Sequence, residues 1–515
     1  MSYYCFCDIL QNRKMLCKFV IWIAVATISS EFVSAATDKI ICYHGTWSKY
    51  RNGNGKFGVS DIDPSLCTHL IYSFVGLSTA NDGSVVSLDS YLDITLGNFA
   101  NFNALKKINP NLKTLLAIGG WNEGSTKYSI VASSATLRKN FVQSALNWVL
   151  TYGFDGFDLD WEYPGQRGGS PTDIANFAEL CREFREVFDK HNLLLSAAVA
   201  ATTASVAVSY DVPSISKYLD FINVMAYDLH ASWDGFTGHN APLYASYLDD
   251  TASEQNLNID SVVKGWIANG AEPQKLVLGL ALYGRTFTLS STSKVALGAP
   301  ISGAGNSGPY TLEPGMLGYN EIVEKQAAGG WTIVWDDEQK VPHMYSGDQW
   351  IGYDDPKSIT LKVEYAKSAN LGGVMVWSIE TDDFRGVSGT KFPLLRAINE
   401  VLKISSSSYT GSNSTGSDSS SSSDSSSSSD SSSSSDKDSS NSFLDVNKNT
   451  DESFSGTNNL CTSEGYVRDI NDCSIFYYCQ LVDGKYVPKT NTCPSGLYFD
   501  ISENVCNWKA AVTDC

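Results

Sequence analysis

The chain has little positive charge for its length. Its 515 residues include 37 lysines and arginines against 56 aspartates and glutamates, which gives a formal net charge of −19. Nucleic acids and anionic membrane surfaces are bound mainly through basic patches, so both are disfavoured as partners. An acidic surface is compatible with a neutral polymer or with a cationic one, and it does not choose between them.

The apolar run near the N-terminus, from Phe19 to Ile28, is too short to cross a bilayer, which takes roughly 20 residues. Small residues follow at 33–35 with the spacing of a signal-peptidase site, so we predict a signal peptide over residues 1–35. A membrane anchor is the alternative, disfavoured because Ser29, Ser30 and Glu31 end the run. Met15 is a second candidate for the start. Three basic residues precede the run: Arg13, Lys14 and Lys18.

Cysteines are scarce in most of the chain and dense at its end. Removal of the signal peptide takes away Cys5, Cys7 and Cys17 and leaves nine cysteines for an oxidising compartment. Three of the nine lie in the first four hundred residues: Cys42, Cys67 and Cys181. The other six crowd the C-terminus: Cys461, Cys473, Cys479, Cys493, Cys506 and Cys515. This distribution predicts two domains that are stabilised by different means.

Serine makes up about half of residues 405–456, with an aspartate at every sixth position from Asp418 to Asp436. Such a segment cannot bury enough apolar surface to offset its ordering entropy, so we predict a disordered linker. Asn413 begins a glycosylation sequon, and the serine hydroxyls are candidate sites for O-linked sugars. We interpret the six-residue repeat as simple-repeat slippage without a binding role.

Residues 36–404 alternate eight short apolar runs with amphipathic stretches, which favours a (β/α)8 barrel over an open doubly wound sheet. No GxGxxG turn follows the first run, which disfavours a dinucleotide-binding fold. About ninety residues separate the last two runs, so we predict an inserted α+β subdomain over about 288–360. The eight predicted strands are Lys39–Tyr43, Leu70–Val75, Lys113–Ile118, Gly156–Asp160, Leu193–Val199, Phe221–Tyr227, Leu276–Ala281 and Gly373–Trp377.

The fourth of these strands carries the chemistry, in the segment FDGFDLDWEYP. Side chains alternate along a strand, so Asp158, Asp160 and Glu162 point to the same side, which in a barrel is the interior at the C-terminal mouth. Three carboxylates this close cannot all ionise cheaply, and at least one pKa should rise. Glu162, nearest the mouth, is the candidate general acid. The alternative, a solvated acidic strand end, is disfavoured because burying unpaired acids is costly.

The same segment resembles the DGxDxDWEYP signature of glycoside hydrolase family 18, and other stretches between about Ile41 and Arg396 resemble that family in the right order. They are ICYHGTW, DIDPSLCTHLIYSF, KTLLAIGGW, VMAYDLHASWDGFTGHNAPL, LVLGLALYGRTF and GGVMVWSIETDDF. The resemblance implies a chitinase in which the 2-acetamido group of the substrate replaces the second carboxylate and attacks the anomeric carbon while Glu162 protonates the leaving oxygen. Asp160 would orient the acetamide and Asp158 would share its proton.

The family pattern implies further roles on the substrate side. Tyr227 would donate a hydrogen bond to the acetamide carbonyl, and Asp228 would contact the distorted sugar. Met225 and Met375 would line the acetamide pocket, with Trp377 as the floor beneath the reacting sugar. The remaining subsite candidates are Tyr43, Phe74, Trp121, Trp233, Tyr283 and Arg285. Two positions depart from the pattern, Ala231 for a usual glycine and Glu380 for a usual aspartate, and neither touches the chemistry. We expect a Cys42–Cys67 disulfide and a buried Cys181 thiol.

The C-terminal segment 457–515 has cysteine spacings that indicate a disulfide framework, whereas a zinc site lacks CxxC and a nearby histidine. Its spacing and aromatic content resemble a peritrophin-A type chitin-binding domain. The resemblance implies the pairs Cys461–Cys479, Cys473–Cys515 and Cys493–Cys506. Five residues are candidates for sugar stacking, two or three of which should form the core instead: Tyr478, Tyr486, Tyr498, Phe499 and Trp508.

Together these patterns predict a secreted, extracellular, monomeric, endo-acting chitinase whose partners are chitin and chitin oligosaccharides, with no metal or organic cofactor. The runner-up is a chitinase-like lectin, disfavoured because Glu162, Asp160 and Tyr227 are intact. An endo-β-N-acetylglucosaminidase acting on glycoproteins would use the same acids, but the tail and the insertion favour a long homopolymer. A purely structural matrix protein would explain the tail and not the buried acids.

Overall fold

A computed structural model of the chain describes residues 37–403 and, near the C-terminus, residues 461, 465–469, 471–482, 485–493, 497–501, 505–509 and 512. The predicted signal peptide over residues 1–35 and the predicted linker over 405–456 lie outside these residues. Within them, no helix combines the length and the apolar character needed to cross a bilayer.

Eight parallel strands close into a barrel, which confirms the predicted fold class. Each strand pairs with its neighbours, and the first barrel strand pairs with both the second and the eighth, so the sheet has no open edge between them. A short strand β3 (Val85–Ser87) runs antiparallel beside the second barrel strand. The barrel strands are β1 (Lys39–Gly45), β2 (His69–Leu77), β4 (Lys113–Gly119), β5 (Gly156–Asp160), β6 (Leu194–Val199), β7 (Phe221–Val224), β8 (Leu276–Ala281) and β15 (Gly373–Trp377).

Helices surround the barrel because each presents one apolar stripe. The helix in the amphipathic stretch after the fourth barrel strand buries one face, which consists of Phe177, Leu180, Cys181, Phe184 and Phe188. The helices are α1 (Asn98–Ala104), α2 (Thr126–Ser133), α3 (Ala135–Tyr152), α4 (Asp173–Phe188), α5 (Thr203–Ser209), α6 (Val212–Tyr218), α7 (Ile259–Ala268), α8 (Tyr319–Ala328), α9 (Pro356–Ser368) and α10 (Pro393–Leu402).

The insertion between the seventh and eighth barrel strands is confirmed. It is a six-stranded antiparallel sheet of β9 (Tyr283–Leu289), β10 (Ile301–Ala304), β11 (Met316–Gly318), β12 (Thr332–Asp336), β13 (Val341–Ser346) and β14 (Gln349–Gly352). The order is β10-β9-β14-β13-β12, β11 also pairs with β9, and α8 packs against β9 and β11. Phe287, Leu289, Ala299 and Trp350 form a core of its own.

One barrel strand is shorter than predicted. The apolar run indicated a strand from Phe221 to Tyr227, whereas β7 ends at Val224. The N–H groups of Ala226 and Tyr227 donate to carbonyls only two residues earlier, so the chain leaves the ladder in tight turns. Periodicity could not find this end because the residues beyond it remain apolar, with Met225 half-buried and Ala226 and Tyr227 buried.

The C-terminal module is small and β-rich. Strands β16 (Gly465–Arg468), β17 (Ile475–Val482) and β18 (Lys485–Thr492) form one antiparallel sheet, and β19 (Leu497–Asp500) pairs with β20 (Val505–Trp508). Phe476 and Phe499 stack in its core with ring centroids 4.0 Å apart. Cys461 is bonded to Cys479. Cys473 and Cys493 are also disulfide-bonded, and the side chains of their predicted partners, Cys515 and Cys506, lie outside the described residues.

The aromatic residues of the module divide between core and surface. Phe499 is fully buried, whereas Tyr486 is 39% exposed near the tip of the β17–β18 hairpin. Tyr478 is half-buried against Tyr466, and Lys509 lies over the half-buried ring of Tyr498. The side chain of Trp508 lies outside the described residues. Tyr486 is therefore the most accessible of the predicted stacking candidates whose side chains are described.

Candidate active site

Three carboxyl groups run from the barrel interior to its open end along and beyond β5. Asp158 is fully buried, Asp160 is 4% exposed, and Glu162 is half-buried two residues past the end of the strand. The alternation of the strand places Asp158 and Asp160 on one side. The arrangement leaves Glu162 as the carboxyl group nearest to solvent.

Asp158 is the most heavily hydrogen-bonded of the three acids. Its Oδ2 accepts from the hydroxyl of Tyr43 at 2.7 Å, and its Oδ1 accepts from Ser196 Oγ at 2.5 Å and from Asn223 Nδ2 at 3.4 Å. Burial raises the pKa of Asp158 to about 6, and these three donors oppose the rise. The donors lie on three other barrel strands, so this carboxylate ties β5 to β1, β6 and β7.

Asp160 has fewer partners. Its Oδ1 is buried and has no hydrogen-bond partner among the described residues. Burial, followed by the charges of Glu162 and Asp158, raises the pKa of Asp160 well above the usual range of an aspartate. Its carbonyl accepts from the N–H of Gly120 at 2.8 Å, and a Cβ at Gly119 would lie 2.0 Å from the same oxygen. A glycine at position 119 is therefore required beside this acid.

Glu162 has the pKa of a proton donor for near-neutral pH. Burial is the main cause that raises its pKa to about 7, with a smaller rise from Asp228, while a hydrogen bond with Tyr163 and the charge of Arg167 lower it. A carboxyl group that remains partly protonated near neutrality can act as a general acid.

Tyr227 interacts with the charges of Asp160 and Glu162 and lies beside the sulfur atom of Met375. It is 8% exposed, its hydroxyl donates to Met375 Sδ at 3.9 Å, and burial raises the pKa of Tyr227 well above 10. Met375 is buried and Met225 is half-buried. A Cβ at Gly279 would lie 3.0 Å from the Tyr227 ring, so the small residue leaves room for this tyrosine.

Asp228 organises a second polar group at the rim. It adopts a left-handed conformation, with φ 57°. Its Oδ1 accepts from Tyr283 Oη at 2.5 Å and from Arg285 Nε at 2.7 Å. The Arg285 guanidinium also lies 5.4 Å from the ring of Trp233, which is 65% exposed. Four of the residues expected to bind substrate thus form one connected group.

An aromatic cluster surrounds Trp377. Tyr43, Phe74 and Trp47 have ring centroids 5.7, 5.9 and 6.1 Å from the ring of Trp377. Trp47 and Phe74 are also stacked on each other, and Trp47 is 38% exposed. Trp121 is 58% exposed and lies under the guanidinium of Arg167. The site therefore combines buried acids with accessible aromatic faces.

Sequence reasoning missed four residues that contribute to this geometry. Asn223 could have been identified from the sequence, because it is a single amide in the apolar strand FINV. Trp47 stands at the end of the quoted motif ICYHGTW and could have been included. Ser196 and Arg167 gave no signal, because a lone serine or a loop arginine has no pattern that predicts its partner.

Cys42 is bonded to Cys67, which joins β1 to the segment before β2, and Cys181 is a buried free thiol on α4. In the part of the chain that the structure describes, no cluster of three or more histidine, cysteine or acidic side chains has an arrangement suited to a metal ion.

The sequence of residues 39–382 matches the model of the family described as glycosyl hydrolases family 18. This chain belongs to glycoside hydrolase family 18. Residues 461–515 match the chitin binding Peritrophin-A domain. Both domain resemblances that the motifs predicted are thereby confirmed.

Two insect proteins and one solved structure illustrate the similarity of this family 18 chain to known proteins. It is 39% identical over 399 residues to the endochitinase of Manduca sexta, which covers 75% of this chain and 71% of that one. It is 40% identical over 427 residues to probable chitinase 2 of Drosophila melanogaster, covering 75% and 86%. The Group IV chitinase of Ostrinia furnacalis, solved in complex with allosamidin, superposes with a TM-score of 0.70 at 48% identity, covering 72% of this chain and all of that one.

Proposed function

We propose that the protein is a secreted, endo-acting chitinase that hydrolyses β-1,4 bonds between N-acetylglucosamine units with retention of the anomeric configuration. The observation that carries the proposal is the row of carboxyl groups at the end of β5. Of these three acids, Glu162 is the one that combines a pKa of about 7 with an outward position, and Asp160 has a buried oxygen for which the described part of the chain provides no hydrogen-bond donor.

The geometry supports a substrate-assisted reaction. The N–H of a 2-acetamido group supplies the donor that Asp160 Oδ1 lacks, and this orients the acetamide carbonyl oxygen toward the anomeric carbon. Glu162 donates its proton to the leaving oxygen as the carbonyl oxygen attacks and the C–O bond breaks. Water then opens the cyclic intermediate with Glu162 as base. Two inversions give net retention.

The surrounding residues suit an N-acetylated sugar. Tyr227, whose raised pKa keeps its hydroxyl protonated, donates to the acetamide carbonyl. Met225 and Met375 provide an apolar surface for the acetamide methyl group. Trp377, with the aromatic cluster around it, stacks on the apolar C–H face of the pyranose. Asp158, with a pKa of about 6, exchanges a proton with Asp160 as charge develops on the intermediate.

The remaining parts of the chain support an insoluble polymer as substrate. A module of the peritrophin-A type, joined through a serine-rich segment, raises the effective concentration of the barrel at a chitin surface without new catalytic contacts. The relatives named as chitinases support the same substrate class. A secreted monomer acting in an extracellular, chitin-containing matrix is the setting that we propose.

The test is hydrolysis of a chitin hexasaccharide by the secreted protein, followed by proton NMR. Endo action by the proposed mechanism gives first products of several sizes that carry the β anomer. Initial α-anomer products would contradict the retaining mechanism. Disaccharide release alone would contradict the endo mode while leaving the chemistry intact.

A further inference from the structure

The loop that follows Glu162 carries an arginine that the proposed reaction does not use. Arg167 lies at φ 49°, a left-handed conformation that residues other than glycine rarely adopt. Its guanidinium carbon lies 3.4 Å from the centroid of the Trp121 ring. Nη1 donates to the carbonyl of Glu162 and Nη2 to the carbonyl of Trp121, both at 2.9 Å. One side chain therefore joins the proton donor to an exposed tryptophan.

A buried carboxylate holds the base of this loop. Asp173, at the start of α4, is fully buried and accepts from the N–H groups of Gly165 at 3.2 Å and Ser170 at 2.7 Å. It also accepts from Ser129 Oγ at 2.8 Å on α2. Arg167 thus projects from an anchored turn, although its own side chain is exposed.

The contact covers one face of Trp121 and leaves the other open. The indole remains 58% exposed beside the stacked guanidinium. A planar guanidinium can stack on a ring and reach two carbonyl groups at once, whereas the point charge of a lysine cannot do both. The indole is thereby held in one orientation relative to Glu162.

We propose that Arg167 is a positioning residue: it fixes Trp121 so that a sugar ring stacks on the open indole face in register with the Glu162 proton donor. This inference rests on the proposed hydrolysis of chitin. Arg167 then contributes to substrate affinity through Trp121 and does not contact the reacting atoms.

The charge of Arg167 supplies a second, separable readout. Asp228 raises the pKa of Glu162, whereas the charge of Arg167 lowers it and so opposes the effect of burial. The ionisable side chains that interact with Glu162 are Asp160, Asp228, Tyr163, Arg167, Tyr210 and Tyr227. Removal of the cation raises the pKa of Glu162, so the pH above which the proton donor is lost moves upward. A charge-conserving substitution leaves that limit in place.

The experiment compares four variants of the full chain at pH 5 on a chitin tetrasaccharide: Arg167→Met, Arg167→Lys, Trp121→Ala and the double variant Trp121→Ala/Arg167→Met. We expect KM to rise about 3-fold in both Arg167 variants, with a smaller change in kcat. We expect the KM of the double variant to match that of Trp121→Ala alone, because both changes remove the same contact. The alkaline limit of kcat/KM should move upward in the two variants that lack the cation, Arg167→Met and the double variant, and should stay in place in Arg167→Lys and Trp121→Ala.

Lys217→Met is the matched control, since the exposed Lys217 of α6 has its Nζ 5.2 Å from the centroid of the Tyr218 ring. The KM of this variant should equal that of the unmodified chain. An unchanged KM in Arg167→Met, or effects of Trp121→Ala and Arg167→Met that multiply, would overturn the inference. Absence of hydrolysis by the unmodified chain would instead refute the proposed function, so the two failures are distinguishable.

Discussion

The carboxyl group of Glu162 should determine how the activity of this protein depends on pH. Burial raises its pKa to about 7, above the usual range of a glutamate, because the charged form loses solvation. A general acid must carry its proton, so kcat/KM on chitin oligosaccharides should fall as pH rises through about 7.

A pH series of kcat/KM measures this, with circular dichroism at each pH to show that the fold persists. An alkaline limit near the ordinary glutamate value, about 4.3, would show that the environment does not tune Glu162. Because Asp160 and Glu162 interact, the observed limit belongs to the pair, and the Glu162 carboxyl dominates it as the more accessible group.

Gly119 sets a packing limit beside the same acids. Its φ is 118°, and a Cβ there would lie 2.0 Å from the carbonyl oxygen of Asp160. Gly119→Ala should lower the free energy of unfolding by about 2–4 kcal/mol, because the backbone must leave a conformation that alanine disfavours and Asp160 must shift. Chemical denaturation measures the loss, and activity should fall with it.

Gly97→Ala is the control for that substitution. Gly97 also has positive φ, 69°, but a Cβ there meets nothing within 4 Å. Gly97→Ala should lower the free energy of unfolding by about 1 kcal/mol, through backbone strain alone, and leave activity unchanged. Equal losses at the two positions would show that the contact with Asp160 contributes nothing.

At the scale of elements, the sequence predicts the barrel well because its strands are buried on both sides and read as continuous apolar runs. The insertion was predictable from the length of the segment between the seventh and eighth predicted strands. The end of β7 was not, since Met225, Ala226 and Tyr227 continue the apolar run after the ladder stops. Spatial partners were harder still, because the bond from Ser196 to Asp158 spans 38 positions and has no sequence signature.

The disulfide between β1 and the segment before β2 should stabilise the first element of the barrel. Cys42 and Cys67 are 25 positions apart, and closing a loop of that length removes roughly 3–4 kcal/mol of unfolded-state entropy. The double variant Cys42→Ala/Cys67→Ala should lose free energy of unfolding of that order in chemical denaturation.

Cys181→Ala provides the comparison, because the buried thiol on α4 has no disulfide to lose and its removal leaves only a small cavity. Cys181→Ala should lower the free energy of unfolding by about 1 kcal/mol. A reducing agent should abolish the difference between the unmodified chain and the double variant. A difference that persists under reduction would mean that packing, rather than the cross-link, is responsible.

At the scale of the whole molecule, we assign catalysis to the barrel and retention at a chitin surface to the C-terminal module. A chain ending at residue 404 keeps the acids, the aromatic cluster and the insertion, so its kcat/KM on soluble chitin oligosaccharides should equal that of the full chain. Its rate on dilute insoluble chitin should fall by about 10-fold or more, because the tether no longer raises the effective concentration. Assays on both substrates measure this, and equal rates on insoluble chitin would contradict a role for the module.

The most direct test of the central claim is hydrolysis of chitin oligosaccharides by the purified protein beside its Glu162→Gln variant, with folding of both checked by circular dichroism. Loss of the proton donor should lower kcat by about 10²–10⁴-fold while oligosaccharide binding persists. Cleavage by the unmodified protein alone, with β-anomer products, is the predicted result. If both proteins fold and bind chitin oligosaccharides but neither cleaves them, the protein is a lectin and the catalytic account is wrong.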